Sequence, residues 1–248
     1  MGYKKKICII IPAYNEEDNL IHITNSILKN NLNKFIIVII DDSKKNFKKK
    51  LNTFNRSIYY IHRKNKKGRG SAVLHGLNYS IKKFNKVDTF IEMDADMSHN
   101  PNELIKNISI FKKKKLDLLI SSRYLKKSKI INWPIKRKFF SFLVNKLSKF
   151  LLRVPVSDYT NGYRIYSKKA ASHIKNNCGK IGDGYIVLSE ILIQIYYNNF
   201  KISETESIFV NRTRGASNVN LLEIYRSFIG LFKIFFLKNK IKKLNYIG

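Results

Sequence analysis

The stretch Ile91-Glu92-Met93-Asp94-Ala95-Asp96-Met97-Ser98-His99 carries the densest chemistry in the chain. Thr89 to Met93 reads as a buried strand, and it delivers Asp94 and Asp96 at its end. Side chains alternate along an extended segment, so carboxylates at i and i+2 leave on the same side and converge on one point. Two hard oxygen ligands there suit Mg²⁺ or Mn²⁺, which complete their shells with water and a substrate phosphate. Asp-x-Asp by itself is also a turn and helix-cap signature. Ser98 to Pro101 reads as a helix entry, which leaves a capping role for Asp96 open.

These carboxylates need elements to hold them. Ile7 to Ile11, ended by Pro12, and Phe35 to Ile40, ended by Asp41-Asp42-Ser43, are short apolar runs rich in β-branched residues. Such runs mark strands buried in a parallel sheet. Ile58 to Ile61 is a third strand and Thr89 to Met93 a fourth. Residues 18–32 repeat Leu20, Ile23, Ile27 and Leu28 at helical spacing, and Lys67-Gly68-Arg69-Gly70-Ser71 opens a helix that runs to Lys83. Strand–helix alternation of this kind predicts an α/β fold with a mostly parallel, doubly wound sheet and right-handed crossovers. Ligands bind such sheets beyond the carboxyl ends of the strands. Tyr14-Asn15-Glu16, Asp41-Asp42 and Asp94-Ala95-Asp96 all fall there. Gly68-Arg69-Gly70 reads equally as a phosphate cradle at a helix N-terminus and as a simple turn. The run Lys112 to Lys115 reads as a solvated helix end.

Composition sets the bounds. At 248 residues, with 44% hydrophobic and 12% aromatic residues, the chain supports one sizeable domain with a packed core. Its 48 Lys+Arg against 17 Asp+Glu leave a net charge of +31. That excess attracts polyanions or an anionic membrane surface, although a Lys-, Asn- and Ile-rich composition of AT-rich type accounts for part of it. Cys8 and Cys178 have no metal-ligand spacing and read as reduced thiols. The opening Met-Gly-Tyr-Lys-Lys-Lys runs straight into the first strand, without a signal-peptide pattern.

In order, Ile-Pro-Ala-Tyr-Asn-Glu-Glu (11–17), Ile-Asp-Asp-Ser (40–43), Lys-Gly-Arg-Gly-Ser-Ala (67–72) with His75-Gly76-Leu77, and Met-Asp-Ala-Asp-Met-Ser-His-Asn-Pro (93–101) resemble the motifs of glycosyltransferase family 2. Within it the chain most resembles the dolichyl-phosphate (polyprenyl-phosphate) mannose synthases. The further matches are Ser122-Arg123-Tyr124, Trp133 with Lys136-Arg137-Lys138 and Ser141, Val156 to Thr160, Tyr163 to Tyr166, and Gly184-Tyr185 ahead of Glu190. The resemblance spans residues 7–236.

It implies a GT-A fold and an inverting transfer of mannose from GDP-mannose to a dolichyl or polyprenyl phosphate. UDP-glucose or another sugar nucleotide is the alternative donor. By the same resemblance, Pro12, Tyr14, Glu16, Ile40 and Asp42 line the nucleoside pocket. Asp94, Ala95 and Asp96 hold the donor, with Mg²⁺ or Mn²⁺ on Asp94, Asp96 and Ser98. Arg123 and Arg212 reach the donor's sugar or phosphates, and Arg137 and Ser141 meet the acceptor phosphate. Asp94, Asp96 and Arg123 form the catalytic set. An acceptor phosphate is already anionic and needs positioning rather than a general base, so His75 and His99 read as structural bridges between loops. Ser43 stands where the family has glycine, and Asn218 where it has lysine, with Arg214 as a substitute. Both departures leave the sugar and nucleotide open.

The second half supplies a lipid-facing side. Residues 136–153 interleave Lys136, Arg137, Lys138, Lys146, Lys149 and Arg153 with bulky apolar residues. Residues 225–237 place Phe228, Leu231, Phe232 and Phe235 on one helical stripe, followed by Lys238, Lys240, Lys242 and Lys243. A basic helix with an aromatic face suits a membrane interface, and an apolar stripe packed on a core gives the same pattern. The expected division is a GT-A catalytic domain, 1–220, and a basic amphipathic C-terminal helix or tail, 221–248, in contact with the membrane interface. No stretch reaches the ~18–20 apolar residues of a spanning helix. The expectation is therefore a peripheral enzyme on the cytoplasmic face of a membrane: endoplasmic reticulum in a eukaryote, plasma membrane in a bacterium. It binds directly or through a small membrane-anchoring subunit. Two readings of other classes stand beside it. One is a polyanion-binding module, against which stands the lack of an aromatic stacking platform, so no nucleic-acid partner is expected. The other is an inactive transferase kept as a partner subunit.

Overall fold

The computed structural model describes residues 7–29, 35–48, 57–212 and 221–246. β1 (Ile7–Ala13), α1 (Glu17–Lys29), β2 (Phe35–Asp41), β3 (Ile58–His62), α2 (Arg69–Lys83) and β4 (Thr89–Glu92) alternate as the apolar runs require. A 3-10 turn (Pro101–Glu103) leads into α3 (Leu104–Lys113), β5 (Leu118–Ser122), β6 (Lys129–Ile131) and α4 (Ile135–Leu152). Then follow β7 (Arg164–Ser167), α5 (Lys168–Asn177), α6 (Ile186–Tyr196), β8 (Ile202–Glu206), β9 (Ile208–Val210) and α7 (Leu221–Tyr246).

Seven strands form one sheet in the order β3-β2-β1-β4-β7-β5-β8. All neighbours run parallel except β7, which is antiparallel to both β4 and β5. β6 and β9 pair separately, in parallel. Because side chains alternate along a strand, each central strand feeds two cores. Cys8, Ile10, Val38 and Ile40 pack towards α2, α5 and α6, while Ile9, Ile11, Ile37 and Ile39 pack towards α1 and α3. The sheet is thus wound on both faces, with helices covering strands too apolar to meet water.

β1 lies between β2 and β4, so the ends of these three strands open on one edge. β4 stops at Glu92, one residue short of the sequence expectation; beyond it the Asp94 N–H turns to His99 Nδ1 at 3.0 Å. The helix entry at 98–101 is capped by Asn100, whose side chain accepts from the Asn102 N–H. Asp96 is therefore free of the capping role. After β2, Ser43 adopts no left-handed backbone; its hydroxyl donates to Asp41 Oδ1 and accepts the Asn15 N–H at 2.7 Å. The turn needs a hydroxyl rather than a glycine. Left-handed residues occur instead at Asn15 (φ 58°) and Met97 (φ 60°), inside the two loops that carry Glu16 and Asp96.

α7 buries Leu231, Ile234 and Ile241 in the core shared with α2 and α6, and exposes Phe228, Phe232 and Phe236. Lys238, the first of the lysines expected to face a membrane interface, is instead buried: its ammonium donates to the Leu151 carbonyl at the end of α4, at 2.7 Å. The lysines at 112–115 are exposed, as expected. Asn218 and Arg214 lie outside the described residues.

Candidate active site

Three acids leave β4 on one side: Glu92, Asp94 and Asp96. Glu92 is fully buried, so it needs a cation, and Arg69 supplies one at 2.6 Å from Nη1 to Oε1. The other Glu92 oxygen accepts the Tyr166 hydroxyl from β7 at 2.7 Å. Arg69 also gives Nε and Nη2 to Asp94 Oδ1, at 2.8 and 2.6 Å. Burial works to raise the Asp94 pKa, but Arg69, His99 and Arg212 outweigh it and hold the carboxyl below its usual range. Asp96 accepts the Ser98 N–H on Oδ1 (3.1 Å), across the left-handed Met97, and meets Arg212 Nη2 on Oδ2 (3.1 Å). Ser98 Oγ is buried without a hydrogen-bond partner. His99 is buried, stacks on Tyr163 and bonds Asn161, so it fixes the loop rather than moving protons. His75 is exposed on α2, with the charges of Arg63, Lys67 and Asp42 around it.

A cleft of about 100 Å³ lies over this edge. Pro12, Tyr14, Glu16, Asp42, Asp94, Ala95, Asp96 and Arg212, all expected on the donor side, line this one cleft together with Gly68, Arg69 and Lys66. Asp42 is held by Arg63 through both oxygens, at 2.5 and 2.7 Å, and by the Lys67 N–H at 2.8 Å. Burial, with Asp96 and Asp94 nearby, keeps the Glu16 carboxyl above its ordinary pKa against the pull of Asn19 and Arg212. Gly68 has φ +85°, and a Cβ there would strike the Asp183 carbonyl. That position demands glycine. Ile40 is not part of the cleft. It is fully buried beneath it, against Gly76 of α2, because its place in β2 turns it into the core.

A second cavity of about 810 Å³ joins the cleft and shares Asp94, Asp96, Tyr185 and Arg212 with it. Phe140, Leu143 and Leu147 of α4, Ile186 of α6, and Phe228 and Leu231 of α7 form its apolar walls. Its polar end holds Ser98, Arg123, Arg137 and Ser141. Arg137 stacks on Trp133 at 4.2 Å and donates to Asn211 at 3.2 Å. Burial and the neighbouring Arg212 lower its pKa, and no carboxylate pairs with it among the described residues. Arg123 is anchored from behind by an acid. It lies in this cavity rather than the donor cleft, doubly bonded to Asp158 at 2.8 and 2.7 Å and bonded to Thr160 at 2.6 Å. Ser98 also lines this side, and Ser141 accepts the Tyr124 hydroxyl at 2.7 Å.

Sequence reasoning missed Glu92 and Arg69. The signal was present: acids at i, i+2 and i+4 put a third carboxylate on the same side of the strand, too deep for water. Its partner lies 23 residues upstream, in a loop that spacing alone leaves as cradle or turn.

A model described as Glycosyl transferase family 2 matches residues 8–175. The chain belongs to this family. A polyprenol monophosphomannose synthase of Mycolicibacterium smegmatis is 30% identical over 87% of this chain and 82% of its own length. A dolichol-phosphate mannosyltransferase of Pyrococcus furiosus is also 30% identical, over 92% of this chain; the match spans 63% of that relative. The solved Mycobacterium tuberculosis glucosyl-3-phosphoglycerate synthase, in complex with Mn²⁺, UDP-glucose and phosphoglyceric acid, superposes with a TM-score of 0.65. At 15% identity over 93% of this chain and 80% of that one, it shows a shared fold. This family 2 glycosyltransferase therefore has the GT-A fold. Asp94 and Asp96 stand in it at a strand end facing both cavities.

Proposed function

We propose that this glycosyltransferase moves a mannosyl group from GDP-mannose to a polyprenyl or dolichyl phosphate, with inversion, at the cytoplasmic surface of a membrane. The observation that carries the reading is the 810 Å³ cavity: apolar walls on α4, α6 and α7, a guanidinium end at Arg137, and a mouth on Asp94 and Asp96. An acceptor with an anionic head and an apolar tail fits that polarity, and the names of the two curated relatives agree with it.

Asp94, Asp96 and the unpartnered Ser98 hydroxyl are hard oxygen donors that fit a divalent cation, and Mn²⁺ accompanies the related solved transferase. The described residues bring no cluster of three acidic or histidine ligands together, so a cation held there would draw its remaining ligands from donor phosphate and water. A cation bound there would offset the charge that develops on the departing diphosphate. Arg212, on the shared wall, adds a fixed positive charge at the same place. On the other side Arg137 and Ser141 orient the acceptor. Its phosphate oxygen forms the bond to the anomeric carbon as the bond to the diphosphate breaks and that electron pair leaves with the nucleotide. A single displacement inverts the carbon. Two readings of the donor remain in competition, and the assay separates them: purified protein, a short polyprenyl phosphate, Mg²⁺ or Mn²⁺, and labelled GDP-mannose or UDP-glucose in parallel. Metal-dependent label in the lipid fraction from GDP-mannose, abolished by Asp96→Ala, is expected. Label from UDP-glucose alone would move the donor, and none from either would sink the transfer reading.

A further inference from the structure

Beneath Asp94 lies a charge group that the donor and acceptor assignments leave unused. Arg69 is the first residue of α2 and reaches across to β4 with three of its donors committed: Nη1 to Glu92, and Nε and Nη2 both to the same oxygen of Asp94. The Tyr185 ring lies against it at 5.6 Å. The surroundings are shaped to this guanidinium, since a Cβ on Gly162 would overlap it, and Gly70 lies too close to the Gly184 carbonyl and Val187 to carry a side chain. On the far side of Glu92, Tyr166 fixes the second carboxylate oxygen. The chain Tyr166–Glu92–Arg69–Asp94 thus runs from the antiparallel strand β7 to the mouth of both cavities.

The geometry at Asp94 is one-sided. Oδ1 takes both Arg69 bonds, the main-chain N–H is held by His99 Nδ1, and Oδ2 lies 3.7 Å from His99 Nε2, beyond hydrogen-bond reach. We infer that Arg69 is a positioning residue for Asp94. It clamps one carboxylate oxygen from below and so presents the other, in a fixed direction, to the cation that comes with the donor diphosphate. Outer partners of this kind orient a ligand, and their loss lowers metal affinity or activity about 10- to 100-fold. The inference rests on the donor-site reading above.

The competing role is plain neutralisation of buried Glu92, and a charge-balanced variant separates the two. Arg69→Met with Glu92→Gln removes a cation and an anion together and leaves neither group buried alone. Bound and free Mn²⁺ are counted by electron paramagnetic resonance with GDP or UDP present, alongside thermal melting and the split of turnover between kcat and donor KM. The expected result is a folded double variant whose Mn²⁺ affinity in the nucleotide complex falls about 10- to 100-fold. Arg69→Lys, which keeps the charge but not the two-pronged contact, is expected to recover part of it. Gly162→Ala, which alters no charge but crowds the guanidinium, is expected to weaken Mn²⁺ binding in the same direction. Wild-type Mn²⁺ affinity in the double variant would overturn the inference and leave Arg69 as the counter-ion of Glu92. Wild-type protein that takes up no Mn²⁺ with either nucleotide would overturn the donor-site reading, and this inference with it.

Discussion

At the scale of single residues the active edge is a set of charges whose answers are built in. Glu16 is an acid whose surroundings oppose its charge. Burial and the nearby Asp96 and Asp94 hold its folded-state pKa above the unfolded value. The sign follows from linkage. Below the ordinary glutamate range both states are protonated and the residue contributes nothing. As pH rises through that range the unfolded chain ionises first, so the fold loses stability until the raised native pKa is passed. Glu16→Gln should therefore melt higher than wild type at neutral pH and together with it at about pH 3–4. An equal difference at both values, read by thermal denaturation, would show that ionisation is not the cause. Ser43 makes the opposite case. Its hydroxyl serves Asp41 and the Asn15 N–H without a left-handed backbone, so the family's glycine has nothing to relieve here. Ser43→Gly is expected to cost about 1–2 kcal/mol in urea unfolding; a neutral or stabilising result would mean the hydroxyl bonds are worth nothing net.

At the scale of elements, the sequence is legible where one signal dominates. β1, and β2 as far as Ile40, are apolar on every residue because both faces of the sheet are covered, and their ends put the acidic loops together. The reversed strand β7 is another matter. It opens on Arg164, fully buried and, among the described residues, bonded to the carbonyls of Tyr159, Asn161 and Leu188, a pattern that reads as surface until the neighbours are known. Arg123 is held by a partner that spacing does not show for the same reason: Asp158 lies 35 residues on. Pairings at that distance carry no local periodicity. α4 shows how one helix serves two tasks. Phe140, Leu143 and Leu147 line the cavity, and Arg137 stands at its polar end on the Trp133 face. Arg137→Ala should lower kcat/KM for the lipid phosphate by about tenfold to a hundredfold, the range of a charge-assisted hydrogen bond. Nucleotide affinity should stay unchanged. Arg137→Lys should recover only part, because an ammonium neither stacks on indole nor forks. Equal losses in donor and acceptor binding would move Arg137 to the donor side.

At the scale of the whole molecule, a net charge of +31 meets an apolar surface on two helices. No helix among the described residues is long and apolar enough to cross a membrane. On α4, Ile135, Phe139, Phe142, Lys146 and Phe150 recur at i, i+4, i+7, i+11 and i+15, a stripe beside the one that faces the cavity. Phe139 is 63% exposed and Phe150 74%. α7 adds exposed Phe232 and Phe236. Soluble surfaces rarely carry such a patch without a use, and its position next to the cavity walls would bring a lipid tail from a bilayer to the acceptor site without crossing water. If that is its use, Phe139→Ser with Phe150→Ser removes apolar area worth about 1–3 kcal/mol on insertion. Binding to anionic vesicles, read by sedimentation, should then fall about tenfold to a hundredfold. Neither side chain lines the cavity, so transfer to a short, water-soluble polyprenyl phosphate should proceed at the wild-type rate. Added salt should weaken what binding is left, since the basic residues act through a screened field. Unchanged vesicle binding in the double variant would assign the stripe to contact with another protein. Loss of transfer to the soluble acceptor would mean instead that the stripe supports the fold of the cavity wall.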